Sequence, residues 1–285
     1  MKTKTFFLAA ILLAVSLLKV LPLGKDLGWA SCFAQAPNQP GAGNCLNFNG
    51  SAINTTGYVN CGTNASLNIT GSISTSCWVK KNGTSPFAEG GIDVVYVSKC
   101  CCVFDRQWYM SYNDVTNRFW FGVFKSDSRG YIIGATTSFN TGEWYYVAGT
   151  YNQTTGELLL YINGVLTPCD LYTMPIGGGP LTLIASNNTN NNIGSITLMN
   201  RPLLPVLIGA YWANSSYTEV RAKTNGQIDE VCIWDRTLTQ TEIRDNMCSK
   251  LVGSEANLKG YWRFDETGGN TYFDSSPNGN NGTGF

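Results

Sequence analysis

The chain contains no histidine among its 285 residues. A Ser-His-Asp or Cys-His nucleophile system therefore cannot be assembled from it, and neither can a histidine-ligated zinc, copper or non-haem iron centre. Charged side chains are also scarce, at 13% of the residues, and lysine plus arginine balances aspartate plus glutamate at 19 each. A chain without net charge offers no general attraction to nucleic acid or to an acidic membrane surface.

The chain lacks an apolar run that is long enough to span a bilayer. Its main run, Phe6 to Leu18, follows a basic start and is shorter than the roughly 20 residues a membrane helix needs. Small residues follow at the positions that signal peptidase reads, so we predict a signal peptide over residues 1–36 and a secreted, extracellular or cell-surface protein. A membrane anchor and a lipoprotein site at Cys32 are the alternatives. Trp29 stands where a lipoprotein site needs a small aliphatic residue.

Ten cysteines in an exported chain favour disulfides over free thiols. If Cys32 leaves with the signal, an odd number remains, and one thiol stays free or pairs between chains. Three of them are consecutive, and on a strand the middle one faces away from its neighbours, which favours two different bridges. A zinc cluster is the alternative, but the chain has no C-x-x-C pair. The disulfide candidates are Cys45, Cys61, Cys77, Cys100, Cys101, Cys102, Cys169, Cys232 and Cys248.

The clearest local pattern is GEWYYVAGTYNQTTGELLLYINGVL, from Gly142 to Leu166. Residues 144–151 and 158–163 are rich in aromatic, β-branched and aliphatic side chains and predict two strands. Asn163-Gly164 suits a type I′ turn, because both residues tolerate a positive φ. The stretch predicts an antiparallel β-sandwich.

Other segments extend this prediction. Thr239 and Glu242 form a capping-box pattern that predicts a helix, with Ile243 and Met247 on one face. In the polar stretch 167–205, two short apolar pieces, 181–185 and 196–199, predict a small hairpin; the stretch is either a solvated excursion or a binding loop. Further strands are predicted at residues 72–80, 94–99, 108–112, 118–124, 206–210 and 226–234, with a hairpin over 45–61 and core tryptophans at Trp78, Trp144, Trp234 and Trp262.

Four segments together, residues 45–59, 77–80, 142–165 and 226–243, resemble the LamG-like (laminin G/pentraxin-like) jelly roll of the concanavalin A-like lectin/glucanase superfamily. The resemblance implies an all-β fold, a two-sheet antiparallel jelly-roll sandwich with one short C-terminal helix, over residues 37–250. It also implies binding of glycans or proteins, often with calcium.

The usual calcium site of the pentraxins is predicted to be absent. Where pentraxins place acidic and amide ligands, this chain has Ala210, Tyr211 and Trp212, which offer no such oxygens to a hard cation. Only Glu219 falls where a pentraxin calcium ligand would. Calcium elsewhere, at Glu219 or through Asp229, is left open, and no other cofactor is indicated.

Sugar binding on this scaffold needs exposed aromatic faces with amide or acid groups beside them. Tyr211 and Trp212, beside Glu219, are the predicted ligand-binding residues; the alternative places these aromatics as packing on the sandwich edge. The E-x-D-x-x-E strand pattern of retaining glycosidases is missing, and the adjacent Asp229 and Glu230 would point to opposite faces of a strand. The chain is therefore predicted not to be an enzyme, with a divergent polysaccharide hydrolase as the alternative.

The C-terminal piece over residues 251–285 resembles the lead-in of a further LamG-like unit. The resemblance rests on LKGYWRFDETGGNTYF, residues 258–273, and on the stretch rich in Ser, Asn and Gly that follows it over residues 274–283. The piece folds back on its own domain, begins a second repeat, or completes a neighbouring molecule by strand addition. We predict a secreted binding module for a glycan or an extracellular protein. The alternative is a structural or adhesive surface subunit that self-associates through this piece.

Overall fold

The computed structural model describes residues 43–50, 57–83, 94–101 and 105–285. The predicted signal peptide lies outside these residues. The described residues all belong to one compact unit, which includes the C-terminal segment. No helix within these ranges is both long enough and apolar enough to cross a membrane.

The described part of the chain is a β-protein with a single α-helix, α1 (Gln240–Cys248), and a 3₁₀ turn at Ala65–Leu67. In chain order, the strands are β1 (Leu46–Asn49), β2 (Val59–Asn60), β3 (Ile73–Lys81), β4 (Val94–Cys100), β5 (Arg106–Asn113), β6 (Arg118–Phe124), β7 (Gly130–Ala135), β8 (Trp144–Tyr151), β9 (Leu158–Ile162), β10 (Val165–Leu166), β11 (Cys169–Met174), β12 (Thr182–Asn188), β13 (Leu207–Ile208), β14 (Tyr211–Trp212), β15 (Val220–Arg221), β16 (Asn225–Trp234), β17 (Leu258–Trp262), β18 (Thr271–Tyr272) and β19 (Gly282–Gly284).

Two antiparallel sheets form the sandwich. The seven-stranded sheet has the order β1-β16-β3-β8-β9-β10, with β17 also paired to β16. The ten-stranded sheet has the order β12-β11-β7-β6-β5-β4-β13-β2-β19-β18, and β14 pairs with β15 in a small separate sheet. The predicted two-sheet antiparallel sandwich with one short helix is confirmed.

The main core lies between the two sheets, where alternate residues of each strand meet. Phe121 of β6 lies against Gly149 of β8 so closely that a Cβ at position 149 would stand 2.4 Å from the ring. A second cluster covers the outer face of the seven-stranded sheet, where Trp78 and Tyr146 pack under Ile243 of α1. With both faces covered, strands of this sheet are buried along most of their length.

The strongest local patterns are confirmed. The predicted hairpin is β8, β9 and β10, and its turn has a positive φ at both Asn163 (50°) and Gly164 (71°). The predicted helix is α1, and both hydrogen bonds of its Thr239–Glu242 capping box are present. Of the four predicted core tryptophans, Trp144 is only half-buried and the others are buried.

Two predicted hairpins are wrong. Residues 45–61 do not form one, because β1 pairs with β16 in one sheet and β2 pairs with β13 and β19 in the other. Residues 181–185 belong to β12, which pairs with β11 and not with residues 196–199. Strand β1 therefore finds its partner far along the chain, whereas β12 pairs with the strand just before it.

The C-terminal segment completes both sheets of its own domain. Strand β17 pairs with β16, and β19 pairs with β2, so of the three interpretations the structure shows the fold-back. Residues 274–281 form a loop around the buried carboxylate of Asp274, which accepts hydrogen bonds from the backbone N–H groups of Tyr261, Ser276 and Asn280 at 2.8, 2.8 and 2.7 Å. The Ser276 hydroxyl donates a fourth, at 2.8 Å.

The predicted disulfide framework is wrong for most of its candidates. Cys77 and Cys232 lie on neighbouring strands, yet Cys77 faces the core between the sheets and Cys232 faces the outer cluster, so their sulfur atoms point apart. Cys248 is disulfide-bonded, and Cys102 lies outside the described residues. Free thiols are found at Cys45, Cys61, Cys77, Cys169 and Cys232.

Candidate functional site

The aromatic pair predicted to bind a ligand does not present an open face. Trp212 is only 5% exposed and belongs to a small apolar cluster with Tyr58, Cys101 and Val220. The Tyr58 ring meets the indole edge-on at 5.8 Å. A sugar could not stack on a ring that is covered in this way, so the structure supports the packing alternative for Trp212.

The structure places Asp229 apart from the other two predicted site residues, Tyr211 and Glu219. Tyr211 is half-buried on β14, opposite Arg221 of β15. Glu219 forms an ion pair with Arg221, at 2.8 Å between Oε1 and Nε. Asp229 lies on β16 in the seven-stranded sheet and is 2% exposed. Tyr211 and Glu219 thus flank the small β14–β15 sheet, and Asp229 belongs to a different environment.

Asp229 and Glu230 occupy a bulge in β16, where the register to β3 shifts and Glu230 has a φ of 51°. The Asp229 carboxylate accepts a hydrogen bond from the Glu230 N–H at 2.9 Å, and the Tyr261 hydroxyl donates to Glu230. Burial, reinforced by the neighbouring Glu230 carboxylate, raises the pKa of Asp229 to about 8. Burial also raises the pKa of Glu230, against the hydrogen bond from Tyr261 and the charge of Lys250.

A concave site lies elsewhere, where the edge strand β1 of one sheet meets β2, β19 and β18 of the other. It is a cleft of about 260 Å³, and we call it the aromatic cleft. It is lined by Leu46, Asn47, Phe48, Gly57, Tyr58, Val59, Asn270, Tyr272, Gly284 and Phe285.

Aromatic rings dominate the aromatic cleft, and packing behind them fixes their positions. Tyr58 and Phe285 are stacked, with centroids 5.0 Å apart and planes 8° apart. The Tyr272 ring lies against Gly284, where a Cβ would come within 2.8 Å of it, and its other neighbour is the buried Phe264, edge-on at 5.3 Å. Phe285 is 52% exposed and Tyr272 is half-buried, so both rings reach solvent.

The polar side chains of the aromatic cleft are uncharged. Asn47 and Asn270 are both exposed, and the structure gives neither side-chain amide a hydrogen-bond partner among the described residues. No Asp, Glu, Lys or Arg is among the described residues that line the cleft. Aromatic faces beside free amides suit a ligand that has both apolar faces and hydroxyl groups.

A family model described as the concanavalin A-like lectin/glucanases superfamily matches residues 53–197, just over half of the chain. The chain belongs to the concanavalin A-like lectin/glucanase superfamily. The two-sheet sandwich is the jelly roll that the superfamily resemblance implies. No curated protein matches the sequence.

Solved structures that resemble this chain share little sequence with it. A proposed carbohydrate-binding protein from Bacteroides ovatus is 18% identical, with a TM-score of 0.52 over 84% of this chain and 58% of that one. The chain therefore spans less than two thirds of that protein. A SAP-like pentraxin from Limulus polyphemus is 14% identical, with a TM-score of 0.44 over 70% and 78% of the two chains. The CBM40 of a Ruminococcus gnavus sialidase, bound to α2,3-sialyllactose, is 10% identical, with a TM-score of 0.41 over 72% and 98%.

Calcium binding at Glu219 or Asp229 stays a prediction. Across the ranges that the structure describes, no three His, Cys, Asp or Glu side chains are grouped so that they could hold a metal ion. Glu219 forms an ion pair with Arg221. Asp229 is buried and its pKa is raised, so the carboxyl group favours the protonated form, whereas a hard cation binds the ionised form.

Sequence reasoning missed the aromatic cleft because its lining comes from three separated parts of the chain. Residues 46–48, 57–59 and 270–285 meet only after β19 pairs with β2 and β1 pairs with β16. One signal was available: the C-terminal segment carries Tyr272 and Phe285 among glycines and asparagines, a composition too polar to make those rings ordinary core residues.

Proposed function

We propose that the protein is a secreted, non-enzymatic module that binds a neutral glycan in the aromatic cleft. The observation that carries this proposal is the lining itself: solvent-facing Tyr272 and Phe285, two exposed amides and, among the described lining residues, no charged side chain. A pyranose ring has an apolar face that packs on an aromatic ring and hydroxyl groups that amides bond.

The absence of charge in the described lining favours a neutral sugar over an acidic one. A carboxylate or sulfate that entered the aromatic cleft would lose water without meeting a cation, and an unpaired buried charge is costly. A neutral hydroxyl loses less, and the Asn47 and Asn270 amides replace its water. The Bacteroides ovatus protein of the same fold, which is described as carbohydrate-binding, is in keeping with a glycan ligand.

The other functions have weaker support. A retaining hydrolase needs two carboxyl side chains about 5 Å apart in its cleft, whereas the described lining has no Asp or Glu. Asp229 and Glu230 are close together, but both are buried in the sheet. A structural subunit that assembles by donating its C-terminal strands loses support because β17 and β19 are already paired within the chain.

The proposal is tested with an immobilised library of neutral and acidic oligosaccharides, screened with and without calcium. We expect neutral glycans to bind, and to bind equally after calcium is chelated, because the described lining of the aromatic cleft has no carboxylate side chain. Tyr272→Ala should weaken the binding at least about fivefold, since truncating an aromatic residue on which a ligand packs costs more than about 1 kcal/mol.

The matched control is Tyr211→Ala, which removes another half-buried tyrosine outside the aromatic cleft and should leave binding unchanged. Tyr272→Phe should keep most of the affinity, because it keeps the stacking face. Equal losses for Tyr272→Ala and Tyr211→Ala, or binding of acidic glycans alone, would contradict the proposal.

Secretion rests on the N-terminal pattern, and N-terminal sequencing of the protein from culture medium tests it.

A further inference from the structure

Six asparagines of this chain are followed directly by glycine, and such a pair can modify itself. Because glycine has no side chain, its peptide nitrogen can approach and attack the side-chain amide carbon of the asparagine before it. The attack requires an asparagine side chain that is free to turn and a glycine nitrogen that is not donating a hydrogen bond. The pairs are Asn49-Gly50, Asn82-Gly83, Asn163-Gly164, Asn225-Gly226, Asn278-Gly279 and Asn281-Gly282.

In three of the pairs, a hydrogen bond holds the side-chain amide of the asparagine. An amide that is held in this way must break that bond before it can turn toward the next nitrogen. The bonds run from the Tyr146 N–H to Asn163 Oδ1 at 2.8 Å, from the Asp274 N–H to Asn281 Oδ1 at 3.0 Å, and from Asn278 Nδ2 to the Leu258 carbonyl at 2.9 Å.

In two further pairs, the backbone of the glycine is held. The Gly50 N–H donates to the Thr224 carbonyl at 3.0 Å, so its nitrogen is engaged. Gly226, which follows Asn225, lies in β16 with β1 on one side and β3 on the other. It is so close to the Lys80 carbonyl that a Cβ would collide with it. The backbone there has no room for the bend that ring closure requires.

The pair Asn82-Gly83 lies just after the end of β3 and meets both requirements. The Asn82 side chain is exposed, and the structure gives its amide no hydrogen-bond partner among the described residues. Within the same ranges, the Gly83 nitrogen donates no hydrogen bond. The backbone N–H of Asn82 donates to the Asn225 carbonyl at 3.0 Å, which anchors the residue and leaves its side chain free to turn.

We propose that Asn82 deamidates spontaneously in the folded protein, ahead of the other Asn-Gly pairs. The Gly83 nitrogen attacks Cγ of Asn82, the bond from Cγ to Nδ2 breaks, and the proton of the Gly83 N–H leaves with the amide nitrogen as ammonia. Water then opens the resulting succinimide ring at either carbonyl and gives aspartate or isoaspartate. Both products add a negative charge next to Lys81, whose buried ammonium pairs with Asp114 at 2.9 Å.

The test is peptide mapping by mass spectrometry after the purified full chain has been kept in mildly alkaline buffer. We expect an amide-to-acid mass change, with isoaspartate, at residue 82. It should form at least about fivefold faster than at residues 163, 278 and 281, because a hydrogen bond must first break at each of those. In urea, where unfolding releases these bonds, the rates at the six pairs should converge.

Gly83→Ala is the matched variant, because its methyl group hinders the attack and the fold has room for it. Among the described residues, a Cβ at position 83 meets the Asn225 amide at 3.6 Å, an ordinary contact. We expect slower change at residue 82 and unaltered rates at the other pairs, with thermal unfolding to verify the fold. An unchanged residue 82 in the folded chain would overturn the proposal. So would equal rates at residues 82 and 163, or a rate that Gly83→Ala does not lower.

Discussion

Trp212 supports one wall of the aromatic cleft from behind. Its indole is buried against Tyr58, and Tyr58 in turn stacks on Phe285 at the wall of the aromatic cleft. The tryptophan therefore positions the lining without being part of it. Packing on the sandwich edge is the alternative that the sequence leaves open for Trp212, but it depends on β14 pairing with β15, which no local pattern shows.

Replacing Trp212 tests this packing role. Trp212→Ala should lower the free energy of unfolding by about 3–5 kcal/mol, because it opens a cavity in an apolar cluster. Urea denaturation measures the change. Tyr211→Ala, at the adjacent half-buried position, should cost clearly less, and a loss below about 1 kcal/mol for Trp212→Ala would contradict the packing assignment.

The buried carboxyl of Asp229 makes stability depend on pH. Its pKa is about 8 in the folded chain against 3.8 as the ordinary value, so between about pH 4 and pH 8 the unfolded chain has released a proton that the folded chain keeps. The free energy of unfolding must then fall as pH rises through this window, by at most about 1.4 kcal/mol per pH unit for one group.

Asp229→Asn removes that proton release. Its amide oxygen still accepts the bond from the Glu230 N–H, and we expect a flatter pH profile and higher stability than wild type at pH 8, measured by thermal unfolding in a pH series. Some slope should remain, because the pKa of Glu230 is also raised. Asp245→Asn, on the exposed side of α1, is the control. An unchanged slope in Asp229→Asn would refute the assignment.

At the scale of elements, the C-terminal segment gains its structure from one buried carboxylate. Asp274 accepts four hydrogen bonds and thereby fixes the turn between β18, which carries Tyr272, and β19, which leads to Phe285. The Ser- and Asn-rich composition of residues 274–281 is thus explained by the hydrogen bonds within the loop.

Asp274→Ala should destabilise the chain by about 2–4 kcal/mol, because it leaves several buried donors without partners. Denaturant unfolding measures the loss, and Asp245→Ala provides the control for removal of an exposed aspartate. We also expect Asp274→Ala to weaken glycan binding, since β18 and β19 carry one wall of the aromatic cleft. Wild-type stability in Asp274→Ala would mean that the loop is held by other contacts.

Local elements could be predicted where their signals are self-contained. The Asn163-Gly164 turn requires a positive φ at two positions, and the Thr239–Glu242 cap satisfies two helix donors within four residues, so both appear as the sequence indicates. The predicted hairpin over residues 45–61 fails because both of its strands find better partners far along the chain, at β16 and β13. Pairing that depends on distant strands carries no local signature.

At the scale of the whole molecule, the sandwich brings together residues that the sequence keeps more than 200 positions apart. Leu46 to Phe48 and Tyr272 to Phe285 face each other only because the C-terminal segment folds back onto β16 and β2. The fold class followed from strand patterns and the superfamily resemblance. The aromatic cleft did not, because it belongs to the assembled molecule and not to a motif.

The most direct test of the aromatic cleft is an NMR titration of the isotope-labelled chain with the neutral oligosaccharide that binds best in the library. We predict that backbone amide shifts change at residues 46–48, 57–59, 270–272 and 284–285. The backbone amides of residues 211–219 and of β12 should keep the chemical shifts that they have in the free protein. Shifts confined to residues 211–219, or spread evenly over the chain, would contradict the claim that the aromatic cleft is the glycan site.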